Sequence, residues 1–345
     1  MTARFASQQE IDNWNSLVIT NPDGGNIFQA TEFAHTKRSN NWSTRFLVVD
    51  NLYILVLQRK IPTLGNFWYV PKGPGINNTD ELSKLLPRLR EFAAANNVFT
   101  VKMESELLET EDNISFLSKS NLPKSRAVQA ANTVIVDISA DIDTVVASFS
   151  PKTRASIRSA QKADIKIEVV PINDANCKIF YDLMVATING RSHLRSFDYF
   201  KTFWQSHYNA GNGIFIFASV DGEILSMDFI MILGNKATRK DAASSRQHSV
   251  RGVSALLEKF AIEYLKTLGV TKYDLYGSPP SDQIKNPNHP YYGFGTFKAG
   301  FNANITDYVG CFDLIIKPRS YKIWVKAGER IAHRVYRQRH RDLYY

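Results

Sequence analysis

The chain has 345 residues, 44% hydrophobic and 22% charged, which suits a globular protein with room for two domains and excludes a disordered or fibrous one. No apolar run is long enough to span a bilayer, and the opening MTARFASQQEIDNWNS lacks the apolar core of a signal peptide, so a cytoplasmic protein is expected. A net charge of +9 and a pI near 9.3 favour an anionic partner, while two distant cysteines and seven scattered histidines offer no metal-ligand spacing and no metal is expected.

Residues 8–19 and 30–40 read as helices, separated by the turn cluster Asn21-Pro22-Asp23-Gly24-Gly25. Arg45–Val49 and Tyr53–Gln58 are β-rich runs around Asp50-Asn51, which predicts a hairpin. Phe67–Val70 is a further strand. Asp80 then opens a helix to Ala95 with Leu82, Leu85, Leu86, Leu89 and Phe92 at helical spacing, and Val98–Met103 returns as a strand.

Asn132–Ile138 reads as a strand and Asp141–Phe149 as a short helix. Ser150-Pro151 opens the helix PKTRASIRSAQKA, in which Arg154, Arg158 and Lys162 recur every four residues and share one face. That face is either solvated or a rail for phosphates.

The first half's order then recurs. Residues 175–189 and 197–207 read as helices, and Ile214–Val220 and Glu223–Ile232 flank Asp221-Gly222, a strong hairpin signal. Val253–Leu268 is a helix and Lys272–Tyr276 a strand. Asp50 precedes Val98 by 48 residues, and Asp221 precedes Val270 by 49, which points to a duplicated domain.

Pro287–Phe301, PNHPYYGFGTFKAGF, carries too many prolines and glycines for a long regular element and too many aromatics for a solvated linker. A packed loop is expected, holding Lys298 between Phe297 and Ala299. Lys298 is then either a snorkelling lysine or a fixed cation facing phosphate or a developing oxyanion. From Tyr321 onward, Ile323, Ala327, Ile331 and Val335 recur every four residues, with Lys322, Lys326, Arg330 and Arg334 alongside. This predicts a basic amphipathic helix. Either its stripe docks on the first domain with its cations solvated, or its cations hold the protein against an anionic membrane face; the two coexist if the stripe docks and the cations face lipid.

These landmarks resemble the FemABX family of peptidoglycan bridge-forming aminoacyltransferases. The resemblance runs nearly end to end: FQATEFAHTKRSNNW, YVPKGPG, SPKTRASIRSAQK, KYDLYG, HPYYGFGTFKAGFN and YVGCFDLII occur in that order. It implies a mixed α/β fold of two domains like those of GCN5-related N-acetyltransferases, with residues 1–148 plus 305–345 in the first and 149–304 in the second. It also implies transfer of an aminoacyl group from a charged tRNA to an amine of the stem peptide, on a nucleotide-linked or lipid-linked precursor, by a monomer without cofactor. Lys298 lies where the family's catalytic lysine lies. Lys37 and Arg191 lie where precursor phosphates are held, Tyr292 is expected to touch substrate, and Arg154, Arg158 and Lys162 are expected to meet tRNA. No long heptad segment is present, which matches the family's arm-less type. PPSDQIKNPNHP is longer and richer in proline than the family pattern.

Two rival readings differ in chemistry. An acetyl-CoA-dependent acetyltransferase holds pyrophosphate on a loop of pattern Arg/Gln-x-x-Gly-x-Gly/Ala. The equivalent stretch here, Ser249-Val250-Arg251-Gly252-Val253-Ser254, departs from it at both ends. A basic module binding RNA or membrane would need no site around Lys298. No Ser-His-Asp or Cys-His arrangement is evident, so direct attack is expected. Asp274 and Glu104, at the ends of equivalent strands, are either proton acceptors or structural carboxylates.

Overall fold

Two β-sheets organise the chain, and each contains one parallel strand pair that a helix must bridge. The computed structural model describes residues 3–188, 194–245 and 250–345. The chain opens with β1 (Ala3–Phe5), α1 (Gln8–Asp12), α2 (Trp14–Val18), α3 (Thr31–Ser39), β2 (Ser43–Val49), β3 (Leu52–Ile61), β4 (Gly65–Val70), α4 (Thr79–Ala95), β5 (Val98–Met103) and α5 (Glu111–Lys119). It continues through β6 (Asn132–Asp137), α6 (Ile142–Ser148), α7 (Pro151–Ala160), β7 (Lys166–Val170), α8 (Asp174–Ile188), α9 (Phe197–Asn209), β8 (Gly213–Val220), β9 (Glu223–Leu233) and β10 (Lys236–Ser244). Then follow α10 (Val253–Thr267), β11 (Lys272–Asp274), α11 (Tyr292–Lys298), β12 (Ile305–Asp307), β13 (Phe312–Ile315), α12 (Pro318–Ile323), a π-helical turn at Trp324–Gly328, and α13 (Glu329–His340).

The first unit comprises Met1–Ala131 and Tyr308–Tyr345. Its sheet has the order β1-β2-β3-β4-β5-β13. Only β4 and β5 run parallel, and α4 carries the chain between them. Asn78 caps α4 by accepting from the Glu81 backbone N–H. Leu82, Leu85 and Leu89 of α4 are buried in one cluster with Leu47, Ile54, Val56, Trp68 and Val101 of the sheet. Burying each leucine stabilises the fold by roughly 1.5–3 kcal/mol.

The second unit, Asn132–Asp307, has the sheet order β12-β6-β11-β10-β9-β8-β7. Here β10 and β11 are the parallel pair and α10 bridges them. Leu257, Ala261, Ile262 and Leu265 of α10 are buried with Ile216, Ile230 and Tyr273. The hairpin between β8 and β9 turns at Asp221 and Gly222, with φ of 49° and 83°. Both units therefore share one order: three antiparallel strands, a helix, and a strand parallel to the third. Residues 132–148, expected before the domain boundary, lie in the second unit because β6 pairs with β11 and β12.

The short elements β1, α5, β7 and β12 are not evident in the sequence, and three larger features differ from its expectation. The helix expected over 8–19 is broken at Asn13 into α1 and α2. Strand β10 was not foreseen, because KATRKDAAS buries Thr238, Arg239 and Asp241 where a half-buried strand normally places apolar residues. The segment around Lys298 is not a loop throughout but forms α11.

Candidate functional site

In the second unit, α11 is a short helix between Pro290 and Gly300, and Lys298 is its last residue. Gly295 lets α11 approach the segment after β11, since a Cβ there would stand 2.2 Å from Pro279 Cδ. Lys298 is 6% exposed. Its Nζ donates to the carbonyl oxygens of Tyr276 at 2.6 Å and Gly277 at 2.8 Å. Tyr276 and Gly277 have φ of 50° and 87°, a left-handed pair that L side chains rarely adopt. Asp274 holds this turn: its Oδ1 accepts from the Tyr276 backbone N–H at 2.7 Å and from the Thr133 hydroxyl.

The lysine also faces aromatic rings. Its Nζ is 4.9 Å from the centroid of Phe294, whose ring lies 4.9 Å from that of Tyr291. Tyr291 and Phe294 are exposed, against the expectation that all the aromatics of this stretch would be packed; Phe301 is buried, and Tyr292 and Phe297 are half-buried. The ammonium thus lies beneath an exposed aromatic rim.

Next to Lys298 is a buried charge cluster that sequence reasoning missed. Arg239 on β10 pairs with Asp228 on β9, Nη2 to Oδ1 at 2.7 Å, and with Glu258 on α10, Nε to Oε1 at 2.7 Å. The Tyr273 hydroxyl on β11 donates to Glu258 Oε2 at 2.9 Å. The register of β10 against β9 shifts between Arg239 and Asp241. The signal was present in the sequence. Asp228 interrupts an apolar strand, and Glu258 stands on the same helix face as Ile262 and Leu265.

Electrostatics follow from this burial. Burial, aided by the charge of Arg239, brings Lys298 down to about 7 from its ordinary value, while Asp274, Glu258 and Asp228 act against the shift. Burial raises Glu258 to about 7 and also raises Asp228, with Arg239 opposing both. Burial works against the charge of Arg239, but Asp228 and Glu258 outweigh it and hold Arg239 above its ordinary value. Near neutral pH, Lys298 is therefore poised between ammonium and amine, a state suited to proton transfer or to stabilising a developing negative charge. Its two carbonyl partners engage two of an ammonium's three N–H donors and leave one for a substrate oxygen.

The other predicted residues are placed as follows. Tyr292 opens α11 and is half-buried. Lys37 lies in the last turn of α3, 4% exposed, with Nζ 5.1 Å from the Phe33 ring. Arg191 lies outside the described residues. The basic row on α7 is not uniform. Arg154 donates to the carbonyls of Ala147 and Phe149 and so caps α6, whereas Arg158 and Lys162 are exposed. Lys162 lies just beyond α7, which ends at Ala160.

Glu104 is structural: it accepts from the Tyr69 hydroxyl and from the backbone N–H groups of Val128 and Gln129. Burial pushes the Cys177 thiol up to about 11 and Cys311 well above its ordinary value, which makes both poor nucleophiles. A cavity of about 210 Å³ in the first unit is lined by Leu117, Leu122, Val309 and Phe312, together with the Lys124–Glu109 ion pair, and by none of the predicted site residues. Among the described residues no helix is long and apolar enough to cross a membrane.

Similarity to known proteins runs along most of the chain. The family model described as the FemAB family matches residues 124–227 and 229–327. The chain is 23% identical to the lipid II:glycine glycyltransferase of Staphylococcus epidermidis over 399 aligned residues, covering 92% of this chain and 94% of that protein. Its fold is similar to the crystal structure of FemX, with a TM-score of 0.80 at 18% identity, covering 94% and 99% of the two chains. It is also similar to a tandem GNAT protein from the clavulanic acid biosynthesis pathway, with a TM-score of 0.50 at 13% identity, covering 91% and 98%. The expected architecture of two GNAT-like repeats is therefore the observed one.

Proposed function

We infer the activity from the premise that the chain belongs to the FemAB family. It is an aminoacyltransferase of cell-wall synthesis that adds an amino acid to the stem peptide of a peptidoglycan precursor and so builds an interpeptide bridge. The acceptor is the lipid-linked precursor and the donor is aminoacyl-tRNA. Similarity to a lipid II:glycine glycyltransferase over nearly the full length of both chains supports the acceptor. The single structural observation that carries the chemistry is Lys298, buried and held by two backbone carbonyls at the foot of an aromatic rim.

The ester linking amino acid to tRNA is already activated, so the protein has mainly to position the reactants. The acceptor amine attacks the ester carbonyl carbon and forms the new C–N bond. Negative charge collects on the carbonyl oxygen, and the remaining N–H of the Lys298 ammonium stabilises it. The bond from carbon to ribose oxygen then breaks, and the proton lost by the amine ends on that oxygen. No covalent enzyme intermediate is needed.

On this reading Lys37 and Arg191 bind the precursor's phosphates, Tyr292 touches substrate, and Arg158 and Lys162 meet the tRNA. Arg154 joins them only through its capping of α6. Single-turnover transfer with a panel of charged tRNAs and both precursor types is the test. Product is expected with the lipid-linked precursor and one or more charged tRNAs. Acetyl-CoA-dependent acetylation without any tRNA, together with a rise in Tm on adding acetyl-CoA, would replace this reading with that of an acetyltransferase.

A further inference from the structure

The C-terminal helical segment docks by residues other than most of its periodic stripe. Trp324 and Tyr336 hold it to the first unit. Trp324 is 1% exposed and packs on Phe67 and Phe99, with ring centroids 5.2 and 5.7 Å away. The Tyr336 hydroxyl donates to Asn40 Oδ1 at 2.6 Å, and its ring lies 4.1 Å from the Arg59 guanidinium carbon. Of the periodic stripe, Ile323, Ile331 and Val335 are exposed at 56%, 59% and 38%, and Ala327 is half-buried.

The π turn at Trp324–Gly328 supplies the reason. A π turn takes about one residue more than an α turn, so it brings Ile331 back to the side of Ile323 rather than letting it drift towards the docked face. Exposed cations flank this stripe: Lys322, Lys326, Arg330, Arg334, Arg337 and Arg341. The acidic residues of α13 and the tail after it, Glu329 and Asp342, are both half-buried, and Glu329 accepts from the Tyr345 hydroxyl at 2.9 Å. The outward surface is therefore aliphatic and cationic.

We propose that this face binds the surface of a bilayer rich in anionic phospholipid. Ile323, Ile331 and Val335 enter the boundary between headgroups and acyl chains, and the cations lie among lipid phosphates. Charge complementarity selects anionic lipid. The exposed aliphatic residues favour a bilayer over RNA, because isoleucine and valine gain little from a phosphate backbone and offer no ring on which bases stack. The inference stands apart from the acyl-transfer reading and requires only this segment.

The test is co-sedimentation of the full chain with neutral phosphatidylcholine vesicles and with vesicles containing phosphatidylglycerol. Wild type is compared with the triple change Ile323→Ser, Ile331→Ser, Val335→Ser and with Arg334→Gln, Arg337→Gln, Arg341→Gln. Wild type should bind anionic vesicles at least tenfold more tightly than neutral ones. Each variant should lose at least tenfold at unchanged Tm. Failure of wild type to bind anionic vesicles overturns the proposal. So does undiminished binding by the serine variant, which would mean charge adsorption alone, or binding of duplex RNA by a chain that ignores vesicles.

Discussion

Lys298 donates to the carbonyl oxygen of Tyr276 at 2.6 Å, and Tyr276 is itself held in a left-handed conformation by the Asp274 carboxylate. The lysine's position is thus set by a turn built at the end of β11. Lys298→Ala is expected to reduce transfer on the order of a hundredfold or more, the typical cost of one lost transition-state donor. Its Tm should hold or rise, because a buried ammonium is removed. Single-turnover rates and thermal unfolding of the same preparation check both halves. Near wild-type transfer would move the chemistry elsewhere.

The cluster should make stability depend on pH in two opposite senses, with Asp228 acting in the same sense as Glu258. Glu258 lies at about 7 in the fold against an ordinary 4.5. Between these values the folded state keeps a proton that the unfolded state has lost, so stability falls as pH rises. Lys298 lies at about 7 against an ordinary 10.5. Between those values the unfolded state keeps a proton that the folded state has shed, so stability rises with pH. Urea unfolding at pH 5, 7 and 9 should show each limb at about 1–3 kcal/mol. Glu258→Gln should flatten the acidic limb and Lys298→Met the alkaline one.

Arg239→Leu should be strongly destabilising. It would leave Asp228 and Glu258 buried without their guanidinium, and breaking a buried pair from one side costs about 3–5 kcal/mol. Arg239→Lys should recover only part of this, because an ammonium lacks the planar fork that serves both carboxylates. The denaturant midpoint measures it. A midpoint in Arg239→Leu equal to wild type would show that the cluster contributes nothing to the fold.

The cations of α7 should divide by role. Changing Arg158 and Lys162 to Gln should weaken tRNA binding equally across tRNAs and shrink its salt dependence, as expected for contacts to phosphate. Arg154→Gln should instead lower stability by about 1–2 kcal/mol through loss of its bonds to the Ala147 and Phe149 carbonyls. Filter binding at several salt concentrations and thermal unfolding separate the two. A salt slope unchanged in the Arg158 and Lys162 variant would leave those residues facing solvent only.

How much was legible differs by element. The Leu82–Leu85–Leu89 spacing predicted α4, and Asp221-Gly222 predicted the β8–β9 hairpin, because in both cases local chemistry and burial agree. β10 was illegible, since Arg239 and Asp241 are buried by partners on other elements: Asp228 and Glu258 for the first, and for the second the Trp204 indole, which donates to Asp241 at 2.9 Å. α11 is hidden by Gly293 and Gly295, which argue against a helix locally; Gly295 is accommodated by close packing on Pro279, and Gly293 faces open space. The periodicity of the tail is legible in the sequence, but whether its stripe docks is not, because one π turn sets which side its far end faces. The packing around Lys298 is legible in its aromatic neighbours, whereas Asp228 and Glu258 are legible only as carboxylates out of place among apolar residues, with nothing local to name Arg239 as their partner.

The first unit is interrupted in sequence: it is left at Ala131 and resumed at Tyr308, where β13 then pairs along β5 from Met103↔Phe312 to Thr100↔Ile315. During synthesis on the ribosome, the open edge of β5 therefore waits until the whole second unit has emerged. The second unit, continuous from Asn132 to Asp307, has every strand of its own sheet before that moment. The inserted unit therefore has all its strands available before the unit that begins the protein has its last.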